Sequence, residues 1–186
     1  VKAKGMDNIT WKKADVITDD WGTDYDVIVI AGNFLMNIIT EGGPKGAQQL
    51  LIEKAKSTLK PGGTLYIDYN YTYYPQQWYV YQEEHIIWTG TDNQGTKGIM
   101  LLCNSTYDAK TGIIRAIRRY ELETVNGERI NRELPSVKHY VLLEQLHSWL
   151  EAVGFQIQKE YGDYAGNPIS ETTGRAIICA TLKADS

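Results

Sequence analysis

Arg118 interrupts an alternating run in which Ile114, Ala116, Tyr120 and Leu122 share its side. A guanidinium on an otherwise apolar strand face must be paired or must face a cleft, so Arg118 marks either a structural ion pair or a seat for an anionic group of a substrate. Arg115 and Arg119 point the other way and are expected to be solvated. Upstream, Tyr69, Tyr71, Tyr73, Tyr74, Trp78, Tyr79 and Tyr81 crowd one short stretch, which reads either as a pocket wall or as a packed lid or interface. Tyr71, Tyr74, Arg118 and Tyr140 are the polar candidates for binding a substrate. Ala31, Gly32 and Asn33 close an apolar run with small side chains, where backbone can approach a ligand. His85, His139 and His147 lie far apart, with no Cys or carboxylate pattern around them, so a surface or packed role is expected and no metal site is read. No spacing singles out a catalytic residue.

The elements that must position these residues follow from periodicity and breakers. Residues 27–31 are a β-branched run that reads as a central parallel strand covered on both faces, opening at its carboxyl end onto the crevice where α/β sheets bind ligands. A loop over 34–46 leads to a helix over 47–59, whose core face would be Ala47, Leu50, Leu51, Ala55 and Leu59. Lys60-Pro61-Gly62-Gly63 stops it ahead of a strand over 64–69, giving a βαβ unit with parallel strands. Residues 9–15 read as a short strand, followed by a turn at 21–24. From 83 to 140 the pattern is antiparallel, with strands over 99–107, 113–124 and 129–137 and a two-residue hairpin turn at Asn126-Gly127. A helix carrying Leu142, Leu146, Trp149, Leu150 and Val153 stops at Gly154, and strands over 156–161 and 175–183 close the chain.

Composition narrows the partners. With 42% hydrophobic residues, 23% charged residues and a formal net charge of −4, the 186-residue chain has a good core and no general attraction to nucleic acid or anionic lipid. A small-molecule partner is favoured. Cys103 and Cys179 sit in apolar strand-like runs, which suits buried free thiols in a reducing compartment. No apolar run approaches the roughly 20 residues of a membrane span, so a soluble, cytoplasmic protein is expected. The chain opens on Val1, with Gly5 ending what reads as a last helical turn, as though starting in mid-fold.

Taken in order, Lys13-Ala14-Asp15, Tyr25-Asp26-Val27-Ile28-Val29, Leu59-Lys60-Pro61-Gly62-Gly63, Leu150-Glu151-Ala152-Val153-Gly154-Phe155, Tyr161-Gly162-Asp163-Tyr164 and Arg175-Ala176-Ile177-Ile178 resemble the class I S-adenosylmethionine-dependent methyltransferases. The resemblance covers all but residues 83–140. It implies an α/β, Rossmann-like sheet, incomplete at the N-terminus and carrying an antiparallel β insertion. The parts would be a cofactor-binding core over 1–82, a substrate-side insertion over 83–140 and a closing helix and hairpin over 141–186. It also implies S-adenosylmethionine as cofactor, with Asp15 accepting from the adenine amino group, Val16 against the adenine ring, and Ala31, Gly32 and Asn33 beside the methionine half. Asn37 stands where such enzymes often carry a histidine base. No Gly-x-Gly turn occurs in the sequence, so the family's glycine-rich loop has no counterpart and weak or absent cofactor binding by this piece alone is expected. The strand at 27–30 would then have a bare edge, covered by a second copy or by an N-terminal fragment. The alternative is a non-catalytic binding or assembly module of the same ancestry.

Overall fold

In the computed structural model, which describes residues 8–38 and 43–183, the elements run in chain order as β1 (Tyr25–Ile30), α1 (Phe34–Asn37), α2 (Pro44–Thr58), β2 (Leu59–Tyr69), α3 (Pro75–Tyr79), β3 (His85–Thr91), β4 (Lys97–Asp108), β5 (Ile113–Glu123), β6 (Arg129–His139), α4 (Leu143–Ala152), β7 (Phe155–Tyr161) and β8 (Ala176–Leu182). The helical turn expected before Gly5 lies outside the described residues.

Two four-stranded sheets result. The first has the order β1-β2-β8-β7, with β1 parallel to β2 and β8 antiparallel to both of its neighbours; the second is the antiparallel meander β3-β4-β5-β6. The chain is therefore α/β, a Rossmann-like sheet with an antiparallel insertion. Leu65, Ile67, Tyr69, Ala176, Ile178 and Ala180 alternate onto one face of the first sheet and are fully buried beneath α2 and α4. α2 begins at Pro44 because proline lacks an N–H and its fixed φ suits the first helical turn. It buries Ala47, Gln48, Leu51, Ile52 and Ala55, while Leu50 is exposed and Leu59 begins β2. α4 buries Leu146, Trp149 and Leu150, and Gly154, at φ 97°, turns the chain into β7.

Several expectations need correction. β1 is an edge strand, not a central one: only β2 flanks it among the described residues, and Val27 and Val29 are 54% and 61% exposed. An apolar run records that a strand favours burial, not that something covers it. Residues 9–15 form no strand, since none of the described segments pairs with them, and Trp11 is 82% exposed. The 34–46 loop contains the one-turn helix α1 and the start of α2.

The meander holds four strands rather than three, β3 being the addition. The β5–β6 turn is a three-residue loop, Val125-Asn126-Gly127. Gly127 at φ 79° donates its N–H to Thr124 O (2.9 Å), and Thr124 pairs with Glu128. β4 carries a bulge: Cys103 faces Ile117 and Thr106 faces Arg115, so three steps on β4 oppose two on β5, with Asn104 at φ 50°.

Candidate functional site

At the carboxyl end of β1, Ala31 to Phe34 make a tight turn in which Gly32 (φ 67°) and Asn33 (φ 65°) are both left-handed and Phe34 N–H reaches Ala31 O (3.3 Å). Glycine and asparagine tolerate that backbone where a β-branched residue would not. Asn33 then ties two strand ends together, its Oδ1 accepting from Asn70 N–H (2.5 Å) while Asn37 Nδ2 donates to Asn33 O (2.8 Å). Gly32, Asn33, Asn37 and Asn70 form one wall of a cleft of about 520 Å³. Nothing lies within 4 Å of where a Cβ on Gly32 would stand, so this wall is open to a ligand.

The opposite wall is the inner face of the meander, with His85, Met100, Leu102, Ile114, Ala116 and Arg118 on the first three strands, and Ser136 and Lys138 on β6. Trp78, Tyr79 and Tyr81 close one side. Tyr81 packs on the His85 ring at 4.2 Å between centroids and exchanges backbone hydrogen bonds with Ser105, the residue just past the bulge (2.9 and 3.1 Å). Burial pushes the Tyr79 phenol up to about 12, so it stays a neutral donor.

The aromatic stretch divides between the two roles open to it. Trp78, Tyr79 and Tyr81 line the cleft, whereas Tyr69, Tyr71 and Tyr140 pack in the core. Tyr140, 1% exposed, hydrogen-bonds both polar atoms of the Thr72 backbone, accepting from its N–H at 2.7 Å and donating to its carbonyl. Tyr71 stacks on Tyr140 (6.2 Å, 14° between planes) and meets Tyr73 edge-on. Tyr74 lies away from the cleft beside Ser170 and Glu171. Of the four substrate-binding candidates, the structure thus brings only Arg118 into the cleft. Arg119, expected to be solvated, is instead ion-paired to Glu84 (2.6 Å) and Glu121 (2.9 Å).

Of the cofactor-side candidates, Gly32 and Asn33 line the cleft; Ala31 starts their turn. Asp15 and Val16 do not line it. Asp15 Oδ1 accepts from Ile17 N–H (2.8 Å) and Thr18 N–H (3.4 Å), and Val16 packs against the core while its carbonyl accepts from Trp21 Nε1 (2.9 Å). The Asp15 carboxylate is thus already engaged in its own turn. Among the described residues no group of His, Cys, Asp or Glu could hold a metal ion, and no helix is long and apolar enough to cross a membrane.

Comparison with known folds agrees with this architecture. The chain is similar to an S-adenosylmethionine-dependent methyltransferase from Clostridium acetobutylicum (TM-score 0.75, 12% identity, 98% of this chain and 68% of that one). It is also similar to the CcbJ methyltransferase of Streptomyces caelestis (0.69, 16%, 92% and 62%). A third likeness is to CalS10, an amino pentose methyltransferase from Micromonospora echinaspora whose structure has S-adenosylmethionine bound (0.65, 15%, 91% and 63%). The chain therefore has the class I methyltransferase fold, and it spans 62% to 68% of the length of these three proteins. No family model and no curated sequence matches it.

Proposed function

We propose that this chain is the acceptor-facing part of an S-adenosylmethionine-dependent methyltransferase acting on a small molecule. The observation that carries the reading is the cleft: an open turn at Gly32 and Asn33 on the carboxyl side of a parallel strand pair, facing an insertion sheet across about 520 Å³. The backbone of Gly32 and Asn33 and the side-chain amide of Asn70 suit a polar amino-acid tail, and the cofactor would supply an electrophilic methyl on a sulfonium. Methyl transfer is a direct displacement in which alignment does most of the work, so the chain's task is to hold the acceptor against the meander and exclude water. His85, the one imidazole lining the cleft, is placed to take a proton from an acceptor nitrogen or oxygen.

The chain alone is proposed to bind the cofactor weakly, because the described residues line only the Gly32 side of its bed and Asp15 is turned to a local role. The exposed face of Val27 and Val29 supports covering by further polypeptide, either a second copy or an N-terminal fragment.

Titration with S-adenosylmethionine, followed by amide chemical shifts, tests the reading. Weak binding that moves Gly32, Asn33 and Asn70 supports it, and no movement at millimolar cofactor defeats it. Tight binding would defeat the claim of weakness alone, and an assembly module would show self-association without any of these shifts.

A further inference from the structure

Among the described residues the cleft lining contains two cations, Arg118 and Lys138, and no carboxylate, in a chain whose net charge is −4. Both side chains are half-buried. Among the described residues neither forms an ion pair or a side-chain hydrogen bond. Arg119, one step along the same strand and facing the other way, has two carboxylates. Acidic partners are thus available to this sheet, yet they are spent on its outer face.

Register fixes the pair's geometry. Arg118 stands opposite Leu134 and Lys138 opposite Ile114, with the small Ala116–Ser136 pair between them. Four residues of strand separate the two positions, about 13 Å at the backbone, and both are long side chains flanking a low floor. Their charges interact, since burial and then the nearby Arg118 guanidinium hold the Lys138 amine below the usual lysine range. Two unpaired like charges facing one half-buried cleft cost free energy that an anion between them would recover.

We infer that Arg118 and Lys138 together seat an oxyanion, a carboxylate or a phosphate, carried by the small acceptor molecule, whose flat or apolar body lies against Met100, Leu102 and Trp78. This rests on the methyltransferase reading only for the word acceptor; the anion seat itself is a property of the cleft.

The test needs no cofactor. The chain is titrated with phenyl phosphate, benzoate and neutral benzyl alcohol, following Trp fluorescence and heat, alongside Arg118→Gln and Lys138→Met. The expected result is that one or both anions bind more tightly than the alcohol, the better arm identifying phosphate or carboxylate. Each variant should weaken that binding about tenfold, the loss of one charge-assisted hydrogen bond, while leaving the melting temperature unchanged or higher. Equal binding of all three probes, or variants that melt lower without losing anion affinity, would overturn the assignment and make the two cations structural. The cofactor titration reads different residues: anion binding without shifts at Gly32 and Asn33 would sink the methyltransferase reading and leave the anion seat standing.

Discussion

Tyr140 directly follows the end of β6 and Arg118 lies midway along the neighbouring strand β5, and both carry a polar tip on a long side chain. The Tyr140 hydroxyl is satisfied twice by Thr72 in a ring-lined core, with Tyr79 at 5.6 Å and Tyr107 at 6.1 Å between centroids. Arg118 has an apolar floor, a neighbouring cation and no carboxylate within ion-pair reach among the described residues. Buried polar groups with fixed partners hold a fold together, whereas unpaired charged groups lining an open cleft are free to meet a ligand. The tyrosine hub and the cationic cleft therefore call for opposite responses to mutation.

Removing the Tyr140 ring altogether, Tyr140→Ala, should cost about 3–5 kcal/mol, the range for large aromatic truncations in a core, read from chemical denaturation. Tyr140→Phe keeps the ring and strands the Thr72 N–H, a loss of about 1–3 kcal/mol. Tyr69 supplies the contrast inside the hub. Its hydroxyl is buried with no hydrogen-bond partner among the described residues, so Tyr69→Phe should stabilise by about 1 kcal/mol; a loss instead would reveal a partner for that hydroxyl.

His139 tests the join between the hub and the sheet. It is buried, with Nδ1 donating to Gln48 Oε1 (2.6 Å), and Gln48 Nε2 donates to Leu35 O (2.9 Å) and His139 O (3.2 Å), linking α1, α2 and β6. Burial, and then the charge of Lys45, hold the imidazole below its ordinary value. The native state therefore prefers the neutral ring: this stability is complete above about pH 6.5 and is lost as pH falls through the folded-state value. Melts on acidification should fall in the wild type and fall less in His139→Gln. The smallest expected change belongs to the cleft, where Arg118→Gln should alter stability by no more than about 0.5 kcal/mol. A large loss there would erase the distinction between the two regions.

Much of the first sheet was legible because its signals are local: the β-branched run of β1, the spacing of Ala47, Leu51 and Ala55, and the Leu146-Trp149-Leu150 stripe before Gly154. The Pro61-Gly62-Gly63 segment, expected as a stop between helix and strand, instead lies within β2, which begins at Leu59 directly after α2. What failed depends on partners. The β-branched and aromatic content of residues 9–15 says nothing about whether a neighbouring strand exists, and tyrosines of identical type were sorted into core and cleft only by tertiary packing. Lys138 escaped notice through a single residue of hairpin length. With Asn126-Gly127 as a two-residue loop, counting back from the turn places Lys138 opposite Arg115, on the outer face; with the observed three-residue loop it falls opposite Ile114, on the face of Arg118. The loop length was the missing signal, and Gly127 alone is compatible with both turns.

The extra residue at Asn104 works as a phase correction within β4. Inward-facing positions are even-numbered before it, at Met100 and Leu102, and odd-numbered beyond it, at Tyr107 opposite Ile114. Deleting Asn104 would unbend the ribbon yet leave each neighbour on its own side, whereas a second insertion there would turn the far end of the strand inside out. In this one place, shortening the chain is gentler than lengthening it.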